Sequence, residues 1–190
     1  MHKKDFTSKN GWIIWGCIMI CIMLIWGYFF YGNTGKHGKP FIVKGNSMLP
    51  TIADGSTVCV DRESFIWKDG KLSHGDIATF ALLTSNNWQE EFIKRVIAIP
   101  WDTVSFSEWK IILNDTPLKE SYIQWITYSP DQIGIISLQL RSSNNRVPYG
   151  QYLVLWDNRS ASKDSTRLGF ISQDQFTGKV ISINQSNCNN

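Results

Sequence analysis

Residues 11–31 carry no charged side chain, and this run restricts what the chain can fold into. A helix of about 20 apolar residues is long enough to span a bilayer. The run has aromatic residues near both of its ends, as is typical of membrane interfaces: Trp12, Trp15, Trp26, Tyr28, Phe29, Phe30 and Tyr31. A cleaved signal peptide would have a shorter apolar region ending in small residues, so the sequence favours a permanent transmembrane helix.

The charges around this run say little about its orientation. Lysines both precede and follow it, so the rule that positive loops stay inside only slightly favours a C-terminal part on the outer face. We interpret residues 1–10 as a short cytoplasmic N-terminus. Residues 32–40 are rich in glycine and end in proline, which predicts a linker.

Residues 41–190 are predicted to form one mainly β domain with an antiparallel sheet. They contain many short runs of β-forming residues that are separated by turn residues. These runs are 41–44, 56–60, 76–80, 91–99, 109–113, 152–156 and 179–183. No long 3.6-residue apolar period is visible among them, so no long helix is expected there. Residues from about 105 to 148 are less regular, and we interpret them as a small insertion.

Composition argues against several functions. An apolar fraction of 43% and a charged fraction of 18% fit a folded domain. The net charge is only +3 and no basic stripe with interleaved aromatic residues is present, so nucleic-acid binding is not expected. Outside the apolar run only Cys59 and Cys188 remain, without a CxxC pair, so neither zinc nor a disulfide framework is predicted. We expect Cys59 to be a small core residue and not to pair with Cys188.

A serine directly after a predicted strand is the first candidate for chemistry. In the segment 45–51, Ser47 follows Gly45 and precedes Pro50. Glycine permits a close approach of the backbone, and proline stops the strand from continuing, so a turn can hold the hydroxyl exposed. An ordinary turn serine is the alternative for this segment taken alone.

A lysine inside an apolar strand is the second candidate. In the segment 91–99, Lys94 and Arg95 point to opposite faces, so one of them lies among apolar neighbours. Burial can lower the pKa of a lysine from about 10.4 by about 3–5 units. The neutral amine can then accept the proton of a serine hydroxyl. The alternatives are a solvent-facing lysine and a histidine base, for which His74 is the candidate.

A dense polar segment, residues 157–165, follows the next strongly apolar run. Polar groups that abut a buried strand need internal hydrogen-bond partners. We expect Ser162 to hydrogen-bond the lysine amine, and Asp157 or Asp164 to pair with Arg159. An exposed polar turn is the alternative.

Taken together, the three segments resemble the signature blocks of bacterial type I signal peptidases. The resemblance covers essentially the whole chain in the family's order: anchor, serine block, lysine block and polar block. The matching residues are Phe41-x-Val43-x-Gly45-x-Ser47-Met48-x-Pro50-Thr51, then Gly75-Asp76-Ile77 with Phe80, then Lys94-Arg95-Val96-Ile97 with Pro100 and Asp102, and finally Asp157-Asn158-Arg159 through Ser162-x-Asp164-Ser165 with Gly169 and Gly178-Lys179-Val180. The combination is specific, whereas no single block is.

The resemblance implies a serine endopeptidase on the outer face of the cytoplasmic membrane, tethered by one N-terminal helix. It would remove signal peptides from exported preproteins, cleaving after small residues at positions −1 and −3, without a cofactor or metal. Ser47 would be the nucleophile, Lys94 the base, Ser162 the group that orients the lysine, and Asp164 a support of the polar cluster. The implied partners are preproteins and membrane lipid, and association with the secretion machinery is compatible with this role.

The resemblance also implies a substrate pocket by motif position. A substrate would add as an extended strand, and its alternate side chains would enter shallow apolar pockets. The residues implied are Phe41, Val43, Met48, Ile52, Phe92 and Ile93. Their bulk would leave room for alanine but not for large side chains.

The sequence departs from the family pattern at Trp101 and Trp156, which stand where glycine commonly precedes an aspartate. Where such a glycine has a positive φ, tryptophan costs about 1 kcal/mol or more. Gly45 stands where many members have a serine that donates to the oxyanion hole. Two alternatives therefore stay open beside the general peptidase: a dedicated Ser–Lys maturation peptidase, such as one for a conjugative pilin, and a non-catalytic membrane-tethered β-module.

Overall fold

A computed structural model describes residues 9–32, 38–63, 65, 71–83, 89–123, 128–159, 169–184 and 188. The first helix, α1, spans Lys9–Gly32 and covers the apolar run. Several of its apolar side chains are largely exposed, among them Trp15, Met23 and Leu24. Within the described residues, no helix meets the length and hydropathy criteria of a membrane span. The span over 11–31 therefore stays a prediction.

A second compact unit, Gly38–Cys188, holds the strands. The strands are β1 Lys39–Ile42, β2 Thr57–Asp61, β3 Ile77–Leu83, β4 Gln89–Ala98, β5 Val104–Ser107, β6 Lys110–Leu113, β7 Thr116–Pro117, β8 Gln151–Leu155, β9 Phe170–Ser172 and β10 Phe176–Ile183. Seven of them form one sheet in the order β1-β2-β10-β3-β4-β8-β9, and β5-β6-β7 form a small second sheet. All paired neighbours are antiparallel, which confirms the mainly β, antiparallel fold.

The long strand β4 changes its surroundings along its length. Gln89 and Glu90 are exposed, whereas residues 93–98 are buried. β4 pairs with β3 from Gln89 to Arg95, but its described pairing with β8 begins only at Arg95. Among the described strands, residues 89–94 therefore have a partner on one side only.

An apolar cluster connects the start of the domain to β4. Its members are Val43, Met48, Ile52, Val58, Val60, Ile77 and Ile93, all with relative exposures of 8% or less. Because Met48 and Ile93 belong to the same cluster, the segment after β1 is held against the strand that carries Lys94.

The residues between β4 and β8 contain one helix that the sequence analysis missed. This helix, α2, spans Pro130–Arg141, and its buried residues are Gln132, Ile136 and Leu140. Ser129 and Gln132 form a reciprocal capping box, and proline stands in the first turn. The buried stripe is narrow and begins with a glutamine, so the apolar period is weak, although the cap is visible in the sequence.

Cys59 and Cys188 form a disulfide, so the expectation that they do not pair was wrong. Their Cα atoms are 5.4 Å apart, within the usual range for a disulfide. The chain that follows β10 returns to the start of the domain, where the Gly38 N–H donates to the Cys188 carbonyl at 3.1 Å. A Cβ on Gly38 would lie 3.0 Å from that of Cys59, so the glycine leaves room for this approach.

Candidate active site

Ser47 lies on a turn that immediately follows β1, and it is half-buried. Gly45 has a φ of 83°, in the region that favours glycine, and its N–H donates to Asp54 Oδ1 at 2.6 Å. Met48, which follows Ser47, is fully buried and anchors the turn in the apolar cluster. The turn thus fixes the backbone on both sides of Ser47 and leaves its side chain partly accessible.

Lys94 and its neighbour Arg95 are both buried, and Arg95 forms an ion pair with Asp157. The relative exposure of Lys94 is 3%, and its Nζ donates to the Ile93 carbonyl at 2.7 Å. Burial lowers the pKa of Lys94 from 10.5 to about 7, against a smaller opposing effect of the Glu90 carboxylate. A large fraction of the amine is therefore neutral near pH 7.

Ser47 and Lys94 line the same cleft, which has a volume of about 560 Å³. The other lining residues are Phe41, Ile42, Lys44, Gln89, Glu90, Glu91, Phe92, Ile93 and Trp156. β1 forms an edge of the sheet, and residues 89–94 have a partner on one side among the described strands. The cleft is thus bordered by two stretches of strand that can accept a further strand.

Trp156 is a cleft residue that the sequence analysis did not place. Its ring centroid lies 4.7 Å from Lys94 Nζ, and the Phe92 ring lies 5.6 Å from the same atom. The sequence flagged its position, directly before Asp157, but the strand register that brings it next to Lys94 could not be predicted from local pattern. Trp156 does not have a positive φ, so the backbone cost that was expected for a tryptophan in place of glycine is absent at this position.

A buried ion pair holds the polar segment close to the serine turn. The Arg95 guanidinium donates to both carboxylate oxygens of Asp157, at 2.7 and 2.6 Å. Thr51 Oγ1 also donates to Asp157, at 2.5 Å. The Asn158 N–H donates to the Ser47 carbonyl at 3.0 Å. These contacts connect β4, the serine turn and the chain after β8.

Arg159 pairs with a residue that the sequence analysis did not consider. Its side chain donates to Glu120 at 2.5 Å and to the Tyr128 hydroxyl at 3.0 Å. Burial acts to lower the pKa of Arg159, but Tyr128 and Glu120 outweigh it and the net shift is upward. Of the two carboxylates that the sequence analysis offered to Arg159, Asp157 is engaged instead by Arg95 and Thr51, and Asp164 lies outside the described residues.

His74, the competing base, lies elsewhere. Its Nε2 is 2.6 Å from Asp102 Oδ2, and His74 is not among the described residues that line the cleft. Asp102 also accepts from the Ile99 N–H and from Asn114, at 2.8 and 2.7 Å. Among the described residues, no group of three or more histidine, cysteine or acidic side chains is arranged to hold a metal ion.

The remaining predicted site residues fall into three groups. Phe41, Phe92 and Ile93 line the cleft. The other pocket candidates, Val43, Met48 and Ile52, are buried at 0–1% exposure in the cluster behind it. Ser162 and Asp164 lie outside the described residues. Their proposed roles all stay predictions.

Comparisons with known proteins all indicate the same family. The family model described as "Signal peptidase, peptidase S26" matches residues 10–184. Signal peptidase IB of Staphylococcus aureus (strain COL) is 32% identical over 185 residues, which cover 94% of this chain and 88% of the relative. Signal peptidase I P of Bacillus subtilis subsp. natto is 29% identical over 181 residues, with coverages of 93% and 90%.

A solved structure is also similar. It is a signal peptidase I from Enterococcus faecalis V583, 28% identical, and the match covers 59% of this chain and 97% of that one with a TM-score of 0.42. On the family model and the sequence relatives, the chain belongs to the signal peptidase family, peptidase S26, and is a serine endopeptidase.

Proposed function

We propose that this protein removes signal peptides from exported preproteins, with Ser47 as nucleophile and Lys94 as general base. The observation that carries the proposal is a buried lysine with a pKa of about 7 on the same cleft as a half-buried serine. A general base works best when its pKa lies near the operating pH. The family to which the chain belongs supports the reaction class.

In the proposed reaction, the neutral Lys94 amine accepts the Ser47 hydroxyl proton while Oγ attacks the scissile carbonyl carbon. The carbonyl oxygen becomes an oxyanion and accepts a hydrogen bond from the Ser47 backbone N–H. When the C–N bond breaks, the leaving amine takes the proton from Lys94. Lys94 then takes a proton from a water that attacks the acyl ester, and it returns this proton to Ser47 Oγ as the ester C–O bond breaks. Because Gly45 has no hydroxyl, it adds no side-chain donor to the oxyanion hole.

The polar residues after β8 are proposed to hold this arrangement. The Asp157 contacts to Arg95 and Thr51, and the Asn158 contact to Ser47, support a role in fixing the serine turn relative to β4. Ser162 would orient the lysine amine, and Asp164 would support the polar cluster. Arg159 would contribute indirectly, through its pairing with Glu120.

The substrate is proposed to bind as an extended strand and to be cut after small residues at −1 and −3. The two strand edges beside the cleft support backbone pairing with such a substrate. Phe41, Phe92 and Ile93 would contact its alternate side chains, and Val43, Met48 and Ile52 would set the depth of the pockets from behind. Large side chains would clash with these residues, whereas alanine would fit.

The enzyme is further proposed to act at the outer face of the cytoplasmic membrane. The uncharged run 11–31, its aromatic ends and the exposed apolar side chains of α1 support a single-pass tether. Membrane lipid would then be a partner of α1, and exported preproteins would reach the cleft as they emerge. Association with the secretion machinery would bring the two together.

A dedicated peptidase for one substrate is the second candidate function. Trp156 favours it, since this bulky ring borders the cleft where family members commonly have glycine. Cleavage of a generic preprotein with an A-x-A site would argue for the general enzyme. Failure on generic preproteins together with cleavage of one pilin-like precursor would argue for the dedicated one.

The proposal is tested by following cleavage of a model preprotein with the full chain in detergent. Ser47→Ala and Lys94→Ala are expected to abolish cleavage, since each removes a group that takes part in the bond-breaking step. Matched controls are Ser107→Ala and Lys110→Ala, which change exposed residues of the small second sheet and are expected to leave the rate unchanged. Full activity of folded Ser47→Ala would contradict the assignment of Ser47 as nucleophile, whereas a folded wild type that cleaves neither generic nor pilin-like preproteins would favour a non-catalytic module.

A further inference from the structure

We propose that Trp156 is a positioning residue of the active site: its indole covers the Lys94 amine, excludes water from it and fixes it in the cleft. The inference rests on the proposed role of Lys94 and assigns a function to a residue that stands outside the family pattern. Its evidence is the register of two strands, the contacts on either side of Trp156 and the burial of the indole N–H.

Strand register places Trp156 beside Lys94. Arg95 pairs with Leu155 at the end of the described β4–β8 ladder. The next position along this ladder would be occupied by Lys94, which precedes Arg95, and by Trp156, which follows Leu155. Side chains at opposite positions of an antiparallel ladder lie on the same face of the sheet. On its other side Lys94 pairs with Ala78 of β3, whose methyl group is too short to cover an amine. The indole and the Phe92 ring are therefore the aromatic cover of Nζ, at 4.7 and 5.6 Å.

The chain on either side of Trp156 is fixed to both catalytic segments. Leu155 is in register with Arg95, and Asp157 accepts two hydrogen bonds from the guanidinium of the same arginine. The Asn158 N–H donates to the Ser47 carbonyl. The backbone of Trp156 is therefore held beside Lys94 by the contacts of its neighbours to β4 and to the serine turn.

The indole N–H supplies an independent indication. Trp156 Nε1 is buried and has no hydrogen-bond partner among the described residues, although a buried indole N–H normally finds one. A described hydrogen bond therefore does not explain the position of the Trp156 ring. Its contact with Lys94 and its place in the lining of the cleft do explain it.

Removing the indole has two opposing effects on the lysine. Water would reach the amine and favour its charged form, whereas loss of the cation–π contact would disfavour that form. Burial lowers the Lys94 pKa from 10.5 to about 7 against the opposing effect of the Glu90 carboxylate, which is a larger shift than a single cation–π contact supplies, so we expect exposure to dominate and the pKa to rise. The charged groups that line the cleft with Lys94 are Lys44, Glu90 and Glu91, and none of them is altered.

The test measures the Lys94 pKa directly, without using cleavage. In a Ser47→Ala background, the pH dependence of Lys94 acetylation by acetic anhydride is followed by mass spectrometry, with exposed Lys110 as internal standard. Ser47→Ala alone is expected to give a pKa near 7, and adding Trp156→Ala is expected to raise it by about one unit or more, which lowers the fraction of neutral amine at pH 7 by about fivefold or more. Trp156→Leu keeps apolar bulk and is expected to stay near the parent value.

An unchanged or lowered Lys94 pKa in the folded alanine variant would overturn the proposal, as would an equal rise in the leucine variant. If the alanine variant does not fold, Trp156→Gln provides the same comparison with a longer side chain. In variants that retain Ser47, the rate of preprotein cleavage can also be measured as a function of pH. The midpoint of its acid limb is expected to shift in the same direction as the Lys94 pKa measured by acetylation. A protein without peptidase activity would refute the proposed function. Acetylation does not depend on cleavage, so it would still show whether Trp156 shields the Lys94 amine.

Discussion

Burial of Lys94 favours catalysis but works against folding. Its pKa is about 7 in the folded chain and near 10.5 when unfolded, so between these values the unfolded state binds more protons. Stability from this group therefore rises with pH from about 7 to about 10.5, and the full penalty applies below pH 7. At about 1.36 kcal/mol per unit, that penalty amounts to at most about 5 kcal/mol.

Replacing Lys94 by Met is expected to stabilise the protein by a few kcal/mol at pH 6, because no charge then has to be buried. At pH 9 the gain should be about 2–3 kcal/mol smaller, since the amine is largely neutral in the folded chain at that pH. Urea unfolding at both pH values measures this difference. The matched control is Lys110→Met, which changes an exposed lysine. A gain at Lys94 that does not shrink with pH would contradict the assignment of a buried amine.

The two tryptophans that replace family glycines turned out to differ. Trp101 has a φ of 77° and Trp156 does not have a positive φ, so the backbone cost that the sequence suggested applies to Trp101 alone. The Trp101 ring is 59% exposed and lies 6.0 Å from the Tyr149 ring, so little burial offsets that cost. The sequence could flag both positions, but only the strand register shows that Trp156 reaches the lysine.

At the scale of elements, a buried ion pair fastens the segment between β4 and β8 to the chain that follows β8. Glu120 lies after the small sheet and is 1% exposed, and Arg159 is 7% exposed. Gln132 of α2 donates to the Arg159 carbonyl at 3.2 Å. The ion pair thus joins the small sheet, α2 and the polar segment at one point.

Breaking this pair from one side is expected to cost stability. Glu120→Leu removes the carboxylate with which the buried Arg159 charge pairs, and such changes typically cost about 3–5 kcal/mol. The double variant Glu120→Leu/Arg159→Met removes both charges and should recover most of that loss. Thermal and urea unfolding of the wild type, both single variants and the double variant measure the coupling. A double variant no more stable than the worse single one would argue against the pair.

Elements were predictable from the sequence where their side-chain pattern is strong. The strands around Lys94 are rich in β-branched and aromatic residues and were found at close to their observed bounds. Helix α2 was missed because its buried positions are four residues apart and include Gln132, so its apolar signal is weak. Its capping box at Ser129 is visible in the sequence and indicates where this helix begins.

At the scale of the whole molecule, the Cys59–Cys188 disulfide closes a loop with a sequence separation of 129 residues. Cross-links over long loops restrict the unfolded chain, and removing a native one typically costs about 2–5 kcal/mol. Cys188→Ser should therefore lower the melting temperature, and dithiothreitol should lower that of the wild type to a similar value. The Cys188→Ser variant itself should not respond to dithiothreitol. A wild type whose melting temperature is unaffected by complete reduction would contradict this.

Long-range pairs account for most of what the sequence could not predict. The serine and lysine segments were identified from local pattern and from the family resemblance. The partners of Asp157, Arg159 and Cys59 lie 62, 39 and 129 residues away, and each had a plausible nearer or different assignment. Local spacing restricts which residues can be neighbours on a strand or helix, but it does not select among distant partners.

The meeting of Gly38 with Cys188 has a practical consequence for protein engineering. The backbone enters and leaves this β domain at neighbouring points, and a covalent bond secures the exit. Ends that lie together are a feature of domains that tolerate circular permutation or insertion into a host protein. A short spacer between residues 188 and 38 would thus allow new termini to be opened at a surface turn, such as the one at Asn114 and Asp115, with the strand order unchanged.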